Sequence, residues 1–225
     1  MFDRENENEN QPRPLVKFCG LARPGDALAA ARLGADFLGF VFSPESERRV
    51  SPGEAGTFET GSAKRVGVFV NESPEETLAA VSLARLDYVQ FHGAQTTAAA
   101  EIAGPGRVIR AIWPERFRNP RELERELREW EDFAAYFLFD AGLSGGGHGR
   151  AIDLDSLSFL GLTKKKSFLA GGLTPENVKK LWPRAEKNLV GFDFNSGVET
   201  APGMKDEKAM ARVMETFGKK GRGSP

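Results

Sequence analysis

The chain has 225 residues, of which 40% are hydrophobic and 28% are charged, the proportions of an ordinary globular protein. Its 31 basic and 32 acidic residues leave a net charge of −1, so nothing in the charge predicts nucleic acid as a partner. It contains one cysteine and no apolar run near the ~18 residues of a membrane span, so it predicts neither an internal disulfide nor a membrane partner.

The two ends of the chain differ from its middle. Residues 1–13 are rich in Asn and Glu and lack the apolar core of a signal peptide, and residues 219–225 are also poor in apolar side chains. We therefore expect two flexible ends around one domain at 14–218. We also expect a cytoplasmic protein that is a monomer or a homodimer.

Eight short apolar runs recur along the domain, and each predicts a buried strand. They are Val16–Gly20, Phe37–Phe42, Arg65–Val70, Leu86–His92, Val108–Trp113, Ala135–Asp140, Ser167–Ala170 and Leu189–Phe194. Near-continuous hydrophobicity is typical of parallel strands that are covered on the outside. Their spacing of roughly 20–33 residues leaves room for one helix after each strand. The sequence therefore predicts an α/β fold, a single (β/α)8 TIM barrel with parallel strands.

Helix starts between the strands support this order. Ser51 and Ser73 each precede a proline and stand three residues before a glutamate, the pattern of a capping box, and Thr174 begins a similar cap. The sixth helix is predicted to be short, at Asp153–Leu160. The fifth helix is predicted from an apolar stripe formed by Leu123, Leu127, Trp130 and Ala134.

An open, doubly wound sheet would also alternate strands and helices. It typically has a G-x-G-x-x-G motif after its first strand, and this chain has no such motif there. Eight strand–helix units in 225 residues also favour closure, so the barrel is the preferred architecture.

Cys19 and Asp140, at the ends of the first and sixth predicted strands, are the candidate proton-transfer pair. In such a barrel the loops after the strands build the active site. A cysteine acts as a base only as the thiolate, so its pKa of ~8.5 must fall or be matched by substrate contacts. Asp140 ends an apolar strand, so we expect a raised pKa that lets it act as the acid. The alternatives are an inert buried cysteine and a capping aspartate.

Glycines follow the seventh and eighth predicted strands. Gly171 and Gly172 come after the seventh, and Ser196 and Gly197 come after the eighth. Backbone N–H groups without side chains can approach an anion closely, which predicts a phosphate seat. Two tight turns that need positive φ are the alternative.

Two other loops carry polar residues. The glycine-rich loop GLSGGGHG at 142–149 is predicted to close over a bound ligand, and the role of His148 within it is left open. Arg48, in the loop after the second strand, suits a carboxylate. A surface ion pair with Glu45 or Glu47 is the simpler interpretation of Arg48.

Taken together, these residues resemble the phosphoribosylanthranilate isomerase family of tryptophan biosynthesis. The resemblance covers about residues 16–214, nearly the whole chain. It rests on VKFCGLARPGDA (16–27), GADFLGFVFSPESERRVSP (34–52), RVGVFVN (65–71), YVQFHG (88–93), the GGxG loop before Asp153, LAGGLTPENV (169–178) and DFNSGVETAPGMKD (193–206).

The resemblance implies an Amadori rearrangement of N-(5'-phosphoribosyl)anthranilate, without a metal or a cofactor. It implies that Cys19 is the general base and Asp140 the general acid. It also implies that Arg48 grips the anthranilate carboxylate and that His92 and Asp193 bind the substrate. The phosphate seat of the family matches Gly171, Gly172, Ser196 and Gly197, and its flexible loop matches Gly146, Gly147 and Gly149.

The chain departs from the family pattern at a few positions. Phe18 and Phe91 replace aliphatic residues, and Ala94-Gln95 stands where an acidic residue is usual. Leu154 replaces a tryptophan after the loop, and Asn195 replaces a small serine. The last two bear on loop closure and on the detail of the phosphate seat.

Two other functions are alternatives. A related phosphosugar barrel, such as the histidine-pathway isomerase or a bifunctional form, uses an aspartate base on the first strand, where this chain has Cys19. A barrel retained only as a phosphate-binding or scaffold protein would fit a chain without Cys19 or Asp140, and both are present.

Overall fold

The computed structural model describes residues 13–104, 106–140, 154–182 and 186–218. Eight parallel strands close into a barrel, as the sequence predicts, and the open sheet is excluded. The seam between β1 and β8 places Lys17 opposite Asp193. The strands are β1 (Leu15–Phe18), β2 (Phe37–Val41), β3 (Lys64–Phe69), β4 (Tyr88–Phe91), β5 (Val108–Ile112), β6 (Ala134–Asp140), β7 (Ser167–Ala170) and β8 (Leu189–Phe194).

The N-terminal end of the barrel interior is closed by an aromatic layer. Successive residues of a strand face opposite sides, so alternate side chains point inward. Four inward rings lie with centroids 5.2–6.0 Å apart, from Phe37, Tyr88, Tyr136 and Phe168. Gly191 leaves space for them, because a Cβ there would lie 2.7 Å from Phe168 Cε1. This layer leaves the other end of the barrel for polar side chains.

The outer faces of the strands pack against helices. The main hydrophobic core lies between the barrel wall and these helices and includes Phe18, Phe40 and Trp130. The helices are α1 (Pro24–Arg32), α2 (Pro52–Thr57), α3 (Pro74–Leu83), α4 (Thr97–Ala103), α5 (Pro120–Trp130), α6 (Pro175–Leu181) and α7 (Glu207–Thr216).

The three predicted caps all form. Ser51 and Ser73 each accept a bond from the N–H of the glutamate three residues on, and that glutamate accepts one from the serine N–H. Thr174 makes the same reciprocal pair with the side chain of Asn177, so an amide replaces the carboxylate. Each box satisfies N–H groups that a helix start leaves without intrahelical partners.

Two helix predictions need correction or refinement. Helix α5 ends at Trp130, and Ala134, predicted on its stripe, is the first residue of β6. That prediction was wrong because a buried strand residue happened to continue the helical spacing across the turn at 131–133. The short sixth helix is a 3-10 helix, Leu154–Leu162.

A hairpin follows β8 and brings two charged residues to the barrel mouth. A 3-10 turn at Ser196–Val198 leads into β9 (Glu199–Ala201), which pairs antiparallel with β10 (Met204–Lys205). This hairpin places Glu199 against Arg48, in the loop after β2.

The buried guanidinium of Arg65 joins β3 to two helices. It donates to the carbonyl oxygens of Ala84 (2.7 Å), Phe58 (3.1 Å) and Ala55, and to Thr60 Oγ1 (3.2 Å). These carbonyls lie in or just beyond α2 and just beyond the end of α3. One side chain therefore satisfies backbone acceptors at the ends of two neighbouring helices.

The described chain begins at Arg13, which contacts the barrel. Its guanidinium donates to Asp36 Oδ2 (2.7 Å) and to the carbonyls of Pro14 and Gly34. The rest of the predicted N-terminal extension and the predicted tail, 219–225, lie outside the described residues. No helix in the described part of the chain is long and apolar enough to cross a membrane.

Candidate active site

A cleft of about 470 Å³ opens at the C-terminal ends of the strands. Nine residues proposed from the sequence line it: Cys19, Arg48, His92, Asp140, Asp193, Gly171, Gly172, Ser196 and Gly197. The predicted loop residues Gly146, Gly147, His148 and Gly149 lie outside the described residues.

A larger hollow of about 730 Å³ lies at the opposite end of the barrel, beside Leu15, Phe37 and Tyr136. Its described lining has neither a thiol nor an imidazole. The smaller cleft is the candidate active site because barrels of this kind carry their chemistry at the C-terminal ends of the strands.

Cys19 follows the last residue of β1 and is buried beside the cleft. Its N–H donates to Phe194 O across the barrel seam at 2.8 Å. Gly39 on β2 makes room for its side chain, because a Cβ there would lie 2.8 Å from the sulfur. Burial raises the pKa of the Cys19 thiol, and the ammonium of Lys17 opposes that rise without cancelling it. The thiol of Cys19 is therefore favoured over the thiolate.

Lys17 lies two residues before Cys19 and is completely buried. Its Nζ donates to Asp193 Oδ2 on β8 at 2.7 Å. Burial disfavours the ammonium, but the attraction of Asp193 and then of Cys19 outweighs it, so the pKa of Lys17 is raised. The other oxygen, Asp193 Oδ1, is buried without a hydrogen-bond partner in the described chain. A buried acceptor of this kind is suited to a ligand donor.

His92 and Asp140 face each other across the cleft, with Nε2 4.0 Å from Oδ2. The Gln90 amide nitrogen lies 3.2 Å from His92 Nδ1. With that amide as donor, Nδ1 is the acceptor and the ring proton is on Nε2, towards Asp140. The edge of the imidazole also meets Trp113, with centroids 4.7 Å apart.

The imidazole of His92 is neutral at neutral pH. Burial, followed by the positive charges of Lys17, Arg116 and Arg110, lowers the pKa of His92 to about 4. A neutral imidazole can both accept and donate one hydrogen bond, so it can orient a substrate without adding charge.

Arg48 does not pair with Glu45 or Glu47, the acids expected from the sequence. Its Nε and Nη2 instead hold the carboxylate of Glu199, with the shortest contact at 2.7 Å. Lys205 Nζ donates to the same carboxylate at 2.8 Å. The hydrogen bond to Glu199 raises the pKa of Arg48 further above its ordinary value, so the arginine remains charged.

The glycines after β7 and β8 stand where a larger residue would not fit without strain. Gly171 and Gly172 have φ of 98° and 65°, which favour glycine. At Gly197 a Cβ would lie 1.9 Å from Leu173 O, so no side chain fits. Both loops line the cleft, and Ser196 in the second loop lines it as well.

Two departures from the family pattern make contacts of their own. Asn195 Oδ1 accepts from Lys205 Nζ at 2.9 Å, so the larger side chain helps hold the hairpin end. Gln95 Oε1 accepts from the Gly93 N–H, and its Nε2 donates to Val70 O, each at 3.0 Å. This amide braces the turn that follows His92. Side-chain surroundings at Leu154 lie outside what the structure describes.

Sequence reasoning missed several cleft or near-cleft residues. Lys17 and Gln90 had a usable signal, because each stands two positions before a predicted site residue and therefore faces the same side of its strand. Glu199 and Lys205 had none, since only the hairpin after β8 brings them to Arg48. Among the described residues, no group of three or more His, Cys, Asp or Glu side chains could hold a metal ion.

A closed parallel barrel with a polar cleft at its C-terminal mouth defines a (β/α)8-barrel enzyme. A sequence model of the N-(5'-phosphoribosyl)anthranilate (PRA) isomerase family matches residues 16–216. The chain belongs to this family and is an isomerase, which confirms the resemblance.

Known proteins agree along nearly the whole chain. An N-(5'-phosphoribosyl)anthranilate isomerase of Desulfovibrio desulfuricans is 44% identical over 205 residues, covering 91% of this chain and 96% of that protein. The phosphoribosyl anthranilate isomerase of Thermotoga maritima superposes with a TM-score of 0.77 at 34% identity, covering 91% and 98% of the two chains. A further isomerase structure holds reduced 1-(o-carboxyphenylamino)-1-deoxyribulose 5-phosphate, with a TM-score of 0.75, 32% identity and the same coverage.

Proposed function

We propose that this isomerase converts N-(5'-phosphoribosyl)anthranilate to 1-(2-carboxyphenylamino)-1-deoxyribulose 5-phosphate in tryptophan biosynthesis. The supporting observation is that one cleft joins Cys19 and Asp140 with the glycine loops after β7 and β8. The related isomerase that holds a reduced form of this product adds support from its ligand.

In the proposed reaction Asp140 protonates the ribose ring oxygen, and the C1'–O bond breaks to give an open-chain iminium. The thiolate of Cys19 then removes the proton from C2'. The electrons of that C–H bond form an enolamine, which tautomerises to the ketone. Each positioned acid or base contributes about 10²–10⁴-fold to such a reaction.

The two charged ends of the substrate orient the ribose between the acid and the base. We assign the phosphate to Gly171, Gly172, Ser196 and Gly197. We assign the anthranilate carboxylate to Arg48. A guanidinium has five N–H donors. The Nε and Nη2 atoms of Arg48 donate to Glu199, so the N–H groups of Nη1 are the ones assigned to the ligand.

His92 and Asp193 complete the proposed binding site. The Nε2–H of His92 is placed to support the Asp140 carboxylate once the acid has given up its proton. Asp193 Oδ1, buried and without a partner among described residues, is placed to accept from a ribose hydroxyl. Both assignments use groups held by the barrel strands and their neighbours, and such preorganisation lowers the cost of reaching the transition state.

The test is a fluorescence assay that follows loss of N-(5'-phosphoribosyl)anthranilate with the purified full-length chain. We expect turnover by the protein alone, without added metal or cofactor. The double variant Cys19→Ser/Asp140→Asn is the matched control for uncatalysed decay of the substrate. A rate equal to that control would overturn the proposed function.

A further inference from the structure

Lys17 is a buried cation that the proposed reaction does not use. Its side chain is fully buried inside the barrel and bonded to Asp193 at 2.7 Å. Burying an ammonium and a carboxylate in place of apolar side chains is costly, so the pair is weak evidence for stability alone. Its position beside the thiol suggests another use.

One cation lies next to two acids. A Cβ at Gly39 would be 2.8 Å from Cys19 Sγ and 3.2 Å from Lys17 Nζ, so the thiol and the ammonium border the same small space. Lys17 interacts with both Asp193 and Cys19. A single positive charge can balance one buried anion, whereas a carboxylate and a thiolate together leave a net negative charge.

We propose that Lys17 is a positioning residue that stabilises the Cys19 thiolate, and that Asp193 competes with the thiolate for the same ammonium. A substrate hydroxyl that donates to Asp193 Oδ1 draws charge from the carboxylate and leaves more of the ammonium's charge for the sulfur. Occupation of the cleft is thereby linked to activation of the base. The inference rests on the proposed function only in that a thiolate is what the reaction needs.

Other charged or titratable groups also face this part of the cleft. The cleft is also lined by Glu45 and Arg48 in the loop after β2, His92 just after β4, Arg116 after β5 and Asp140 at the end of β6. Glu199 and Lys205, in the hairpin after β8, contact this group through the ion pair of Glu199 with Arg48. Arg48 and Lys205 are both held by Glu199, which offsets their effect on the sulfur. His92 is neutral above its pKa of about 4. Lys17 has the strongest attraction for the thiolate among them.

The test measures the rate of iodoacetamide alkylation of the full chain against pH, without substrate. Cys19 is the only cysteine, so every adduct reports this thiol. The proton lost in the titration passes to water. We expect Lys17→Met to move the midpoint to higher pH and Asp193→Asn to move it to lower pH. A displacement of one pKa unit changes the rate at neutral pH about tenfold.

A double variant keeps the test decisive if Lys17→Met alone fails to fold. Lys17→Met/Asp193→Asn contains no unpaired buried carboxylate, and we expect its midpoint to lie at least about one pKa unit above that of Asp193→Asn. Lys64→Met is the control. It removes an exposed cation at the N-terminal end of β3, away from the cleft, and should leave the midpoint of the thiol titration unchanged.

Equal midpoints for Asp193→Asn with and without Lys17 would overturn the inference, since a purely structural lysine changes folding stability and not thiol ionisation. The proposed function fails separately, by absence of turnover. If the midpoints move as expected but the chain does not convert phosphoribosylanthranilate, the inference about the thiol stands and the proposed substrate is wrong.

Discussion

Residues two apart on one strand face the same side of the barrel, and this spacing decides which side chains meet at its mouth. Lys17 on β1 lies one layer deeper than Cys19, which follows that strand, and Gln90 on β4 lies one layer deeper than His92, which follows β4. In each pair the deeper residue interacts with the outer one: the Lys17 ammonium favours the Cys19 thiolate, and the Gln90 amide nitrogen lies 3.2 Å from His92 Nδ1. The groups proposed for the reaction therefore have polar neighbours one layer further into the barrel.

Cys19→Ser and Asp140→Asn should each lower kcat by about 10²–10⁴-fold, because each removes one proton-transfer group from the proposed pair. The fluorescence assay gives kcat, and circular dichroism checks that the fold is kept. Near-normal turnover by either folded variant would contradict its assigned role.

Arg48→Ala should raise KM for phosphoribosylanthranilate by about 10- to 100-fold, the effect of losing hydrogen bonds to a charged group. We expect kcat to change less. Arg49→Ala is the matched control, because Arg49 is exposed and does not line the cleft. An unchanged KM would leave Arg48 with only its ion pair to Glu199.

His92 should make stability depend on pH. Its pKa falls from 6.5 to about 4 on folding, so between these values the unfolded chain binds more protons and the free energy of unfolding falls as pH falls. The His92 side chain is 30% exposed, so we expect a loss of only about 1 kcal/mol from pH 7 to pH 5. Urea unfolding of the native chain and of His92→Gln measures the difference. Equal losses in both proteins would contradict the lowered pKa.

At the scale of elements, short local signals determine where helices begin, and glycines make room for side chains of the neighbouring strand. The capping boxes at α2, α3 and α6 can be recognised from a hydroxyl, a proline and a polar residue at fixed positions. Gly39 has no such signal in its own strand. Its importance follows only from Cys19 on the neighbouring strand.

Gly39→Ala should lower kcat and destabilise the fold by about 1–3 kcal/mol, because the added methyl group must displace Cys19 or Lys17. Gly25→Ala is the matched control, since nothing lies within 4 Å of a Cβ at that helical position. Thermal unfolding and the fluorescence assay measure the two effects. If Gly39→Ala behaves like Gly25→Ala, Gly39 is not needed to make room for the thiol.

Elements were more predictable than their ends. Leu189–Phe194 agrees with β8 at both ends. The predicted Leu86–His92 extends past β4, because Leu86 packs in the core just before the strand and His92 lies just after it. Ala134 shows the same limit between a helix and a strand. An apolar side chain fits both the helical and the strand periodicity, so the sequence pattern alone does not locate the turn between the two elements.

At the scale of the whole molecule, contacts between distant segments complete what local patterns begin. Strand ends could be predicted to meet because parallel strands in a barrel share one mouth. The partner of Arg48 could not, because Glu199 is 151 positions away and reaches it through a hairpin after β8. Glu45 and Glu47, nearer in the sequence, carry the same charge, so only the folded structure shows which carboxylate pairs with Arg48.

Arg65→Met should lower the free energy of unfolding by about 3 kcal/mol, because several buried carbonyl acceptors near the ends of α2 and α3 lose their donor. Lys64→Met, which removes only an exposed pair with Asp87, is the control and should change stability little. Urea unfolding compares them. Similar midpoints for both variants would show that water replaces the guanidinium without cost.

The Lys17–Asp193 pair has a consequence for how the polypeptide is completed. Its partners come from β1 and β8, the first and last strands of the barrel, and stand 176 positions apart. Until the ribosome has released the final strand, the ammonium has no carboxylate to accompany it out of water. We expect C-terminal truncations before Leu189 to keep this lysine hydrated and to leave the seven remaining barrel strands unclosed. Arrival of the last strand supplies the missing edge and the missing counter-charge in one step.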